Sequence, residues 1–464
     1  MSGDPRNMHR GGSQREDDLV ALVGLNGASG ILPLTQREIF RFWLPLAAAW
    51  LMMAVEGPFL AAVIARLADP RFNLAAHGVA FAFALLVEAP VIMIMSASTA
   101  LADSATNLRR LRAFTYALIG VTTAAMLTVL LPPVYGFLTG RLMALPADVA
   151  RLTYVALWIL LPWPGAIGYR RFYQGLLIRG GRTRYVAYGT VFRLAGMTAT
   201  ALVLYLGFAP PGAYVGAAAL ATGVTIEALV SRWMARGILK QIVGSSPVSA
   251  GRPVLSLRDI WRFYYPLALT SVIGLTVQPL LTFFMGRAAA PVESLAVFPV
   301  VVAVSFIFRS MGLSYQEVAI ALMGEAHREL RPLGRFAVSV GLASAAGIAL
   351  VAVPPVARFW FGTVSGLGPE LTRFAIPATA LLIPIPFLSV VLSYQRAILV
   401  VARATRPATW ATVIEVAGIA LVFPIIGWWA GVVGVSAAAI AFLIGRLAGN
   451  LYLVGPCARV VRQG

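Results

Sequence analysis

The chain has 464 residues, 59% hydrophobic and 12% charged, with a mean hydropathy of +0.83. A soluble domain carries about 45–50% apolar and about 25% charged residues, so a water-soluble enzyme built on one buried core is excluded. The net charge of +19 says nothing about a partner until it is placed relative to the membrane.

Residues 1–36 are polar, Gly-rich and of mixed charge, with no apolar stretch long enough for a signal peptide, and read as a disordered cytoplasmic tail. Apolar stretches then recur about every 39 residues. Those at 113–131, 194–226, 263–286 and 416–445 contain no charge, and a bilayer core takes about 20 such residues to cross. Twelve transmembrane helices are expected, at 40–67, 74–101, 110–138, 149–177, 185–208, 212–242, 260–286, 292–323, 333–361, 371–400, 408–429 and 432–456.

The connections after even-numbered spans hold most of the arginines: Arg109, Arg110 and Arg112; Arg179, Arg182 and Arg184; Arg236, Arg252 and Arg258 with Lys240; Arg328, Arg331 and Arg335; Arg403 and Arg406. The positive-inside rule then puts both termini in the cytoplasm of a multi-pass protein of the bacterial inner membrane. Most of the positive charge is accounted for as topology and contact with anionic lipid, and no nucleic acid is expected as a partner.

The sequence also repeats. REIFRFWLPLA at 37–47 returns as RDIWRFYYPLA at 258–268, so Pro45 matches Pro266, and Pro58 matches Pro279, at an offset of 221 residues. LPPV at 131–134 matches VPPV at 353–356, and Pro162 and Pro164 match Pro384 and Pro386, at 222. Tyr173-Gln174 returns as Tyr394-Gln395, and VFRLAG at 191–196 as VIEVAG at 413–418. The domain reading is a tail at 1–36, a six-helix lobe at 37–243, a cytoplasmic linker at 244–257, a second six-helix lobe at 258–458 and a tail at 459–464. Because six is even, both halves enter the membrane from the same side. The fold class is therefore an all-α integral membrane protein of about twelve helices, in two lobes related by a pseudo-twofold axis along the membrane normal. Such lobes enclose a central cleft and operate by alternating access.

EGPFLAAVIA at 56–65, AAHGVAFAF at 75–83, FYYPLAL at 263–269 and IPIP with YQRAILVVARAT at 383–405 resemble the progressive ankylosis protein (ANK) family. That family lies in the MOP superfamily, with the MATE-like multidrug and toxic-compound exporters, polysaccharide exporters and lipid-linked oligosaccharide flippases. The resemblance implies efflux of a small polyanion such as pyrophosphate, a nucleotide or citrate. It places Glu56 where the family carries an intramembrane glutamate, although Gly57-Pro58 and the apolar residues after them replace polar positions of the family pattern.

Polar residues at membrane depth are costly, about 2.5–3.5 kcal/mol each at a helix centre on insertion scales, unless they face partners or water. They are Glu56, Glu88, Arg170, Arg171, Arg193, Glu227, Gln278, Arg309, Gln316, Glu317, Arg396 and Glu415. Arg193 is the repeat counterpart of Glu415, and Glu88 of Arg309, so equivalent places carry opposite charge. Such residues either face each other across the pseudo-twofold axis or pair separately within each lobe. Arg170, Arg171 and Arg396 either snorkel to the cytoplasmic interface or form a cationic funnel, with Tyr173 and Tyr394 as neutral donors beside it. The double-proline motifs read as devices that kink spans 4 and 10.

The functional expectation is a secondary active transporter, not an enzyme, that binds a small anion between spans 1, 2, 7 and 8. Arg309 is the main anion contact, and Glu56 and Glu88 are the proton-coupling residues. Rival readings are a multidrug or cation:proton antiporter, in which the acidic residues bind substrate, and a flippase for lipid-linked precursors. No cofactor is expected. Cys457 is the single cysteine, and His9, His77 and His327 are too scattered to hold a metal. With Lys240 the single lysine, no phosphate-binding GxxxxGK[ST] loop exists. The expected partners are the anion and membrane lipids, and the chain is expected to act as a monomer.

Overall fold

The computed structural model describes residues 34–182, 184–244, 254–323, 328–402, 404 and 406–463. The expected N-terminal tail up to residue 33 and residues 245–253 of the expected linker therefore lie outside the described residues, as do His9, Arg252, His327 and Arg403. Among the described residues, twelve helices are long and apolar enough to cross a membrane. They are α1 (Gln36–Ala65), α2 (Pro70–Leu101), α3 (Ala105–Leu130), α4 (Ala147–Arg179), α5 (Arg184–Gly207), α6 (Gly212–Met234), α7 (Leu257–Met285), α8 (Pro291–Leu322), α9 (Leu330–Ala352), α10 (Pro384–Val401), α11 (Arg406–Trp429) and α12 (Gly434–Arg462). The protein is a multi-pass membrane protein with six helices in each of two lobes.

The sequence repeat is a repeat of backbone devices. α1 opens on a capping box between Thr35 and Glu38, and α7 on one between Ser256 and Asp259. Both helices then break at matching places, after Ala54 and after Leu275. Pro58 and Pro279 lack the N–H that would bond the carbonyl four residues back, which belongs to Ala54 and Leu275 respectively. α3 ends at Leu130 and α9 at Ala352, earlier than their apolar runs, because Leu131 and Val353 precede prolines and adopt extended ψ values of 127°. A short turn and a π-helix follow in each lobe, Phe137–Leu142 and Phe359–Val364. Two further boundaries differ from expectation. The sixth span stops at Met234 and a separate helix, Arg236–Gly244, follows. The last helix continues through the expected tail as far as Gln463.

The breaks in α1 and α7 let each helix serve both lobes. Ile39, Trp43 and Ala47, before the first break, join a core with Tyr315, Phe336 and Leu453 of the second lobe, and Trp43 Nε1 donates to Ser314 Oγ at 2.9 Å. Ile260 and Tyr264, before the second break, join a core with Phe172, Tyr173 and Leu176 of the first lobe. Tyr264 Oη also donates to the Pro90 carbonyl there. At the end opposite the termini, Leu60, Leu74 and Val149 of one lobe share a single core with Leu281, Leu295 and Leu371 of the other. The lobes are thus joined at the far end and divide into two cores at the end that carries the termini. Gly57 allows α1 and α8 to touch near the division, since a Cβ there would stand 2.9 Å from Ala303 Cβ.

Candidate functional site

A cavity of about 600 Å³ lies between the lobes and is lined by both. From the first lobe it receives Glu56, beside the break in α1, Glu88 near the middle of the second span, Arg170 and Arg171 from α4, and Arg193 from α5. From the second it receives Gln278, Arg309, Arg396, Glu415 and Arg446. The arginines of α4 and α10 therefore face the cavity. The Pro162/Pro164 and Pro384/Pro386 motifs sit where α4 turns between Ile159 and Trp163 and where α10 begins.

The two lobes treat their charges differently. In the first, Arg193 donates to Glu56 Oε2 and stands 3.9 Å from Glu227 Oε2. Arg170 donates to the same Glu227 oxygen, and Gln174 Nε2 donates to Oε1 at 3.0 Å. The result is a buried chain of alternating charge, Glu56, Arg193, Glu227, Arg170. Glu88 accepts a hydrogen bond from the Trp163 indole. Counting Arg171, whose Nη1 lies 3.7 Å from Met95 Sδ, three arginines face three glutamates.

The second lobe is unbalanced. Arg446 binds Glu415 through Nε and Nη2 at 2.9 and 2.7 Å and donates to Ser389 Oγ at 3.3 Å. Arg396 donates to Thr412 Oγ1 at 2.9 Å. Arg309 stacks over the Phe442 ring at 4.9 Å, and Arg446 lies 5.2 Å from the same ring. The Nε atoms of Arg309 and Arg396 are buried and without a hydrogen-bond partner, and among the described residues neither side chain has a carboxylate within 4.0 Å. Three arginines on this wall share one glutamate.

Several expectations are changed by this geometry. Glu88 and Arg309 line one cavity but do not pair, because Trp163 occupies the carboxylate and Phe442 the guanidinium. Arg193 and Glu415, the other inverted pair, find partners inside their own lobes. The cationic face is built from α8, α10 and α12, so α10 and α12 add to a cavity that spans 1, 2, 7 and 8 also line. Tyr173, Tyr394, Gln316 and Glu317 are outside the lining. Tyr173 packs against Tyr169 at 4.8 Å, Tyr394 Oη donates to the Leu330 carbonyl at 2.7 Å, and Glu317 is exposed beside Trp50. Gln395 bonds the Asn450 carbonyl at 3.1 Å, so it joins helices in its lobe as Gln174 does in the other. Arg446 was not expected at the site, although a lone arginine twelve residues into an apolar helix was a sufficient signal. The roles of Trp163 and Phe442 had no signal, since aromatics are common in such helices.

No family model and no curated protein matches the sequence. Solved structures do match the fold. An inward-facing multidrug resistance MATE family transporter of the MOP superfamily aligns with a TM-score of 0.66 at 18% identity, over 89% of this chain and 95% of the other. The lipid II flippase MurJ in an inward closed conformation aligns at 0.64 and 14%, over 89% and 87%. A MOP superfamily transporter from Pyrococcus furiosus, for which a reversed pocket polarity has suggested a different function, aligns at 0.62 and 15%, over 92% and 96%. The twelve helices of this chain are thus arranged in the two-lobed fold of the MATE transporters.

Proposed function

We propose that the protein is a secondary active transporter that carries an anion through the central cavity by alternating access. The observation that supports this most directly is the second-lobe wall, where the Nε atoms of Arg309 and Arg396 are buried without a hydrogen-bond partner and, among the described residues, neither side chain has a carboxylate within 4.0 Å, beside Arg446, which shares its charge with Glu415. A buried guanidinium without a counter-charge is expensive, and an arriving phosphate, sulfonate or carboxylate supplies one while accepting forked hydrogen bonds. A cation antiporter needs an available carboxylate at the cavity, and Glu56, Glu88, Glu227 and Glu415 are each engaged. Glu56 and Glu88 are proposed as the groups that exchange protons during the cycle, since both line the cavity and their donors, Arg193 and Trp163, belong to other helices. With the termini in the cytoplasm, the divided end of the bundle faces the cytoplasm and loads the substrate there.

Flux in proteoliposomes tests the reading. Uptake of labelled organic anions is expected to be saturable, and to fall at least tenfold in Arg309→Gln and in Arg396→Gln while both variants remain monodisperse. Saturable transport of organic cations that survives both substitutions would overturn it.

A further inference from the structure

The anion reading leaves the chemical class of substrate open, and the shape and charge of the cavity narrow it. Three observations bear on this.

The first is size. About 600 Å³ lies within the range of about 300–1,000 Å³ of sites that enclose drug-sized molecules. At about 30 Å³ per water, it has room for roughly twenty waters. A pyrophosphate ion, with nine heavy atoms, would fill less than half of it.

The second is charge. At the site the first lobe's Arg170, Arg171 and Arg193 balance Glu56, Glu88 and Glu227, and the second lobe has three arginines against Glu415, so the uncompensated charge is about two. A phosphate monoester carries about −1.5 to −2 near neutral pH and a carboxylate less. Nucleotides and tricarboxylates bring more negative charge than this wall can neutralise.

The third is the apolar share of the lining. Besides its charged groups the cavity is lined by Phe81, Leu85, Leu281, Phe298, Val302 and Phe306. Uncharged polar groups also line the cavity. Among them are Gln278, His77 and Ser305, and the Ser305 hydroxyl is buried without a hydrogen-bond partner. A compact polyanion held by the arginines would leave this wall facing water.

Resting on the anion reading, we infer that the cavity is built for an amphipathic organic anion. One phosphate, sulfonate or carboxylate head sits on the Arg309, Arg396 and Arg446 wall, and an apolar or aromatic body lies against Phe81, Phe298 and Phe306. The unpartnered Ser305 hydroxyl is placed to bond one heteroatom in that body. The same arrangement disfavours the pyrophosphate, nucleotide and citrate cargo that the sequence resemblance implies.

The test uses the full chain in nanodiscs of zwitterionic lipid, with binding followed by calorimetry. The probes are inorganic pyrophosphate, citrate, phenyl phosphate, and butyl, hexyl and octyl phosphates. Octyltrimethylammonium, octanol and a polyprenyl phosphate are included for comparison. Affinity is expected to rise about fourfold per buried methylene along the alkyl phosphates, with octyl phosphate far above pyrophosphate and citrate. Octanol and the ammonium compound should show no saturable binding. Phe306→Ala should flatten the chain-length dependence while leaving pyrophosphate binding as weak as before, and Phe306→Leu serves if the alanine variant does not fold.

Pyrophosphate or citrate binding as tightly as octyl phosphate would overturn this inference and leave the anion reading intact. Preference for the ammonium compound would overturn both. Polyprenyl phosphate binding well above octyl phosphate would replace the soluble substrate with a lipid-linked one.

Discussion

Arg66 and Arg287 occupy matching places in the two repeats and reach across to matching helix ends in the opposite lobes. Arg66 Nη2 donates to the carbonyls of Thr363 and Val364 at 2.7 and 2.9 Å, at the close of the second-lobe π-helix. Arg287 Nη2 donates to the carbonyl of Arg141, at the close of the first-lobe π-helix. The last carbonyls of a helix lack internal partners and carry the negative end of its dipole, so a guanidinium is a favourable cap. Arg71 and Glu293 form a third link between the lobes at the same end.

These contacts close the end opposite the termini, and alternating access requires them to part. Arg66 is exposed, so each cap contributes about 1 kcal/mol. Removing both, in Arg66→Ala/Arg287→Ala, should shift the conformational equilibrium towards opening at that end by roughly thirtyfold. A cysteine at Ser305, in a Cys457→Ala background, should then react several times faster with an impermeant thiol reagent added from that side. Unchanged labelling would show that the caps do not hold the end shut.

Gly366 gives the latch a second probe. It has a φ of +73°, and a Cβ there would stand 2.9 Å from Arg66 Nη1 and 3.2 Å from its Cζ. Gly366→Ala should therefore displace the guanidinium and reproduce much of the Arg66→Ala effect in the same labelling experiment, with some loss of thermal stability from backbone strain. Labelling at the wild-type rate would show that Arg66 can yield without losing its carbonyls.

The same comparison of repeats explains what the sequence could reveal. Proline and capping residues act on the backbone within a turn or two, so their matched spacing shows that the two repeats share devices, but hydropathy reads spans 1, 3, 7 and 9 straight through the breaks at Pro58 and Pro279 and the ends at Leu130 and Ala352. Pairing of charges is different. The repeat sets the depth of Glu88 and Arg309 but not which way each side chain turns, and a neighbour from another helix decides that. Trp163 claims Glu88 and Phe442 receives Arg309, and neither contact leaves a periodic trace. Arg446 was legible as a buried charge, but its role depends on Glu415 and Ser389 lying beside it.

Two alanines in the first repeat stand where the second has glycine. Ala144 and Ala209 have φ values of 54° and 42°, and their counterparts Gly366 and Gly431 have 73° and 69°. A non-glycine residue in the left-handed region costs about 1–2 kcal/mol, partly offset by the greater freedom glycine brings to the unfolded chain. Ala144→Gly and Ala209→Gly should each raise stability by about 0.5–1 kcal/mol, seen as a small increase in the melting temperature of the detergent-solubilised protein. A decrease in both would show that their surroundings, and not the backbone, set the energetics.

The Glu415–Arg446 pair should behave as one unit. Each is at most 11% exposed at its side chain, and breaking a buried pair from one side costs about 3–5 kcal/mol because the remaining charge is stranded. Arg446→Gln and Glu415→Gln should each be strongly destabilising. The double variant should be destabilised by clearly less than the two single effects together, and the difference is the coupling energy of the cycle. The same cycle on Arg193 and Glu56 should show weaker coupling, since Glu227 remains 3.9 Å from Arg193 when Glu56 is removed and can retain its charge balance. Additive effects at Glu415 and Arg446 would mean that they are held by their separate neighbours.

Arg309 separates a structural role from a substrate contact. Among the described residues it has no carboxylate within 4.0 Å, and its resting position over the Phe442 ring at 4.9 Å is a cation–π contact worth about 0.5–2 kcal/mol. A lysine can keep the positive charge and the attraction to the ring, but it lacks the planar fork that grips two oxygens of one anion. Arg309→Lys should therefore leave the melting temperature within about 2 °C of wild type, while anion flux falls at least tenfold through weaker binding. Phe442→Leu removes the ring and keeps the guanidinium, so it should lower stability modestly while the fork remains available to substrate. If Arg309→Lys transports normally and Phe442→Leu does not, charge at this position suffices and the ring is the group that matters.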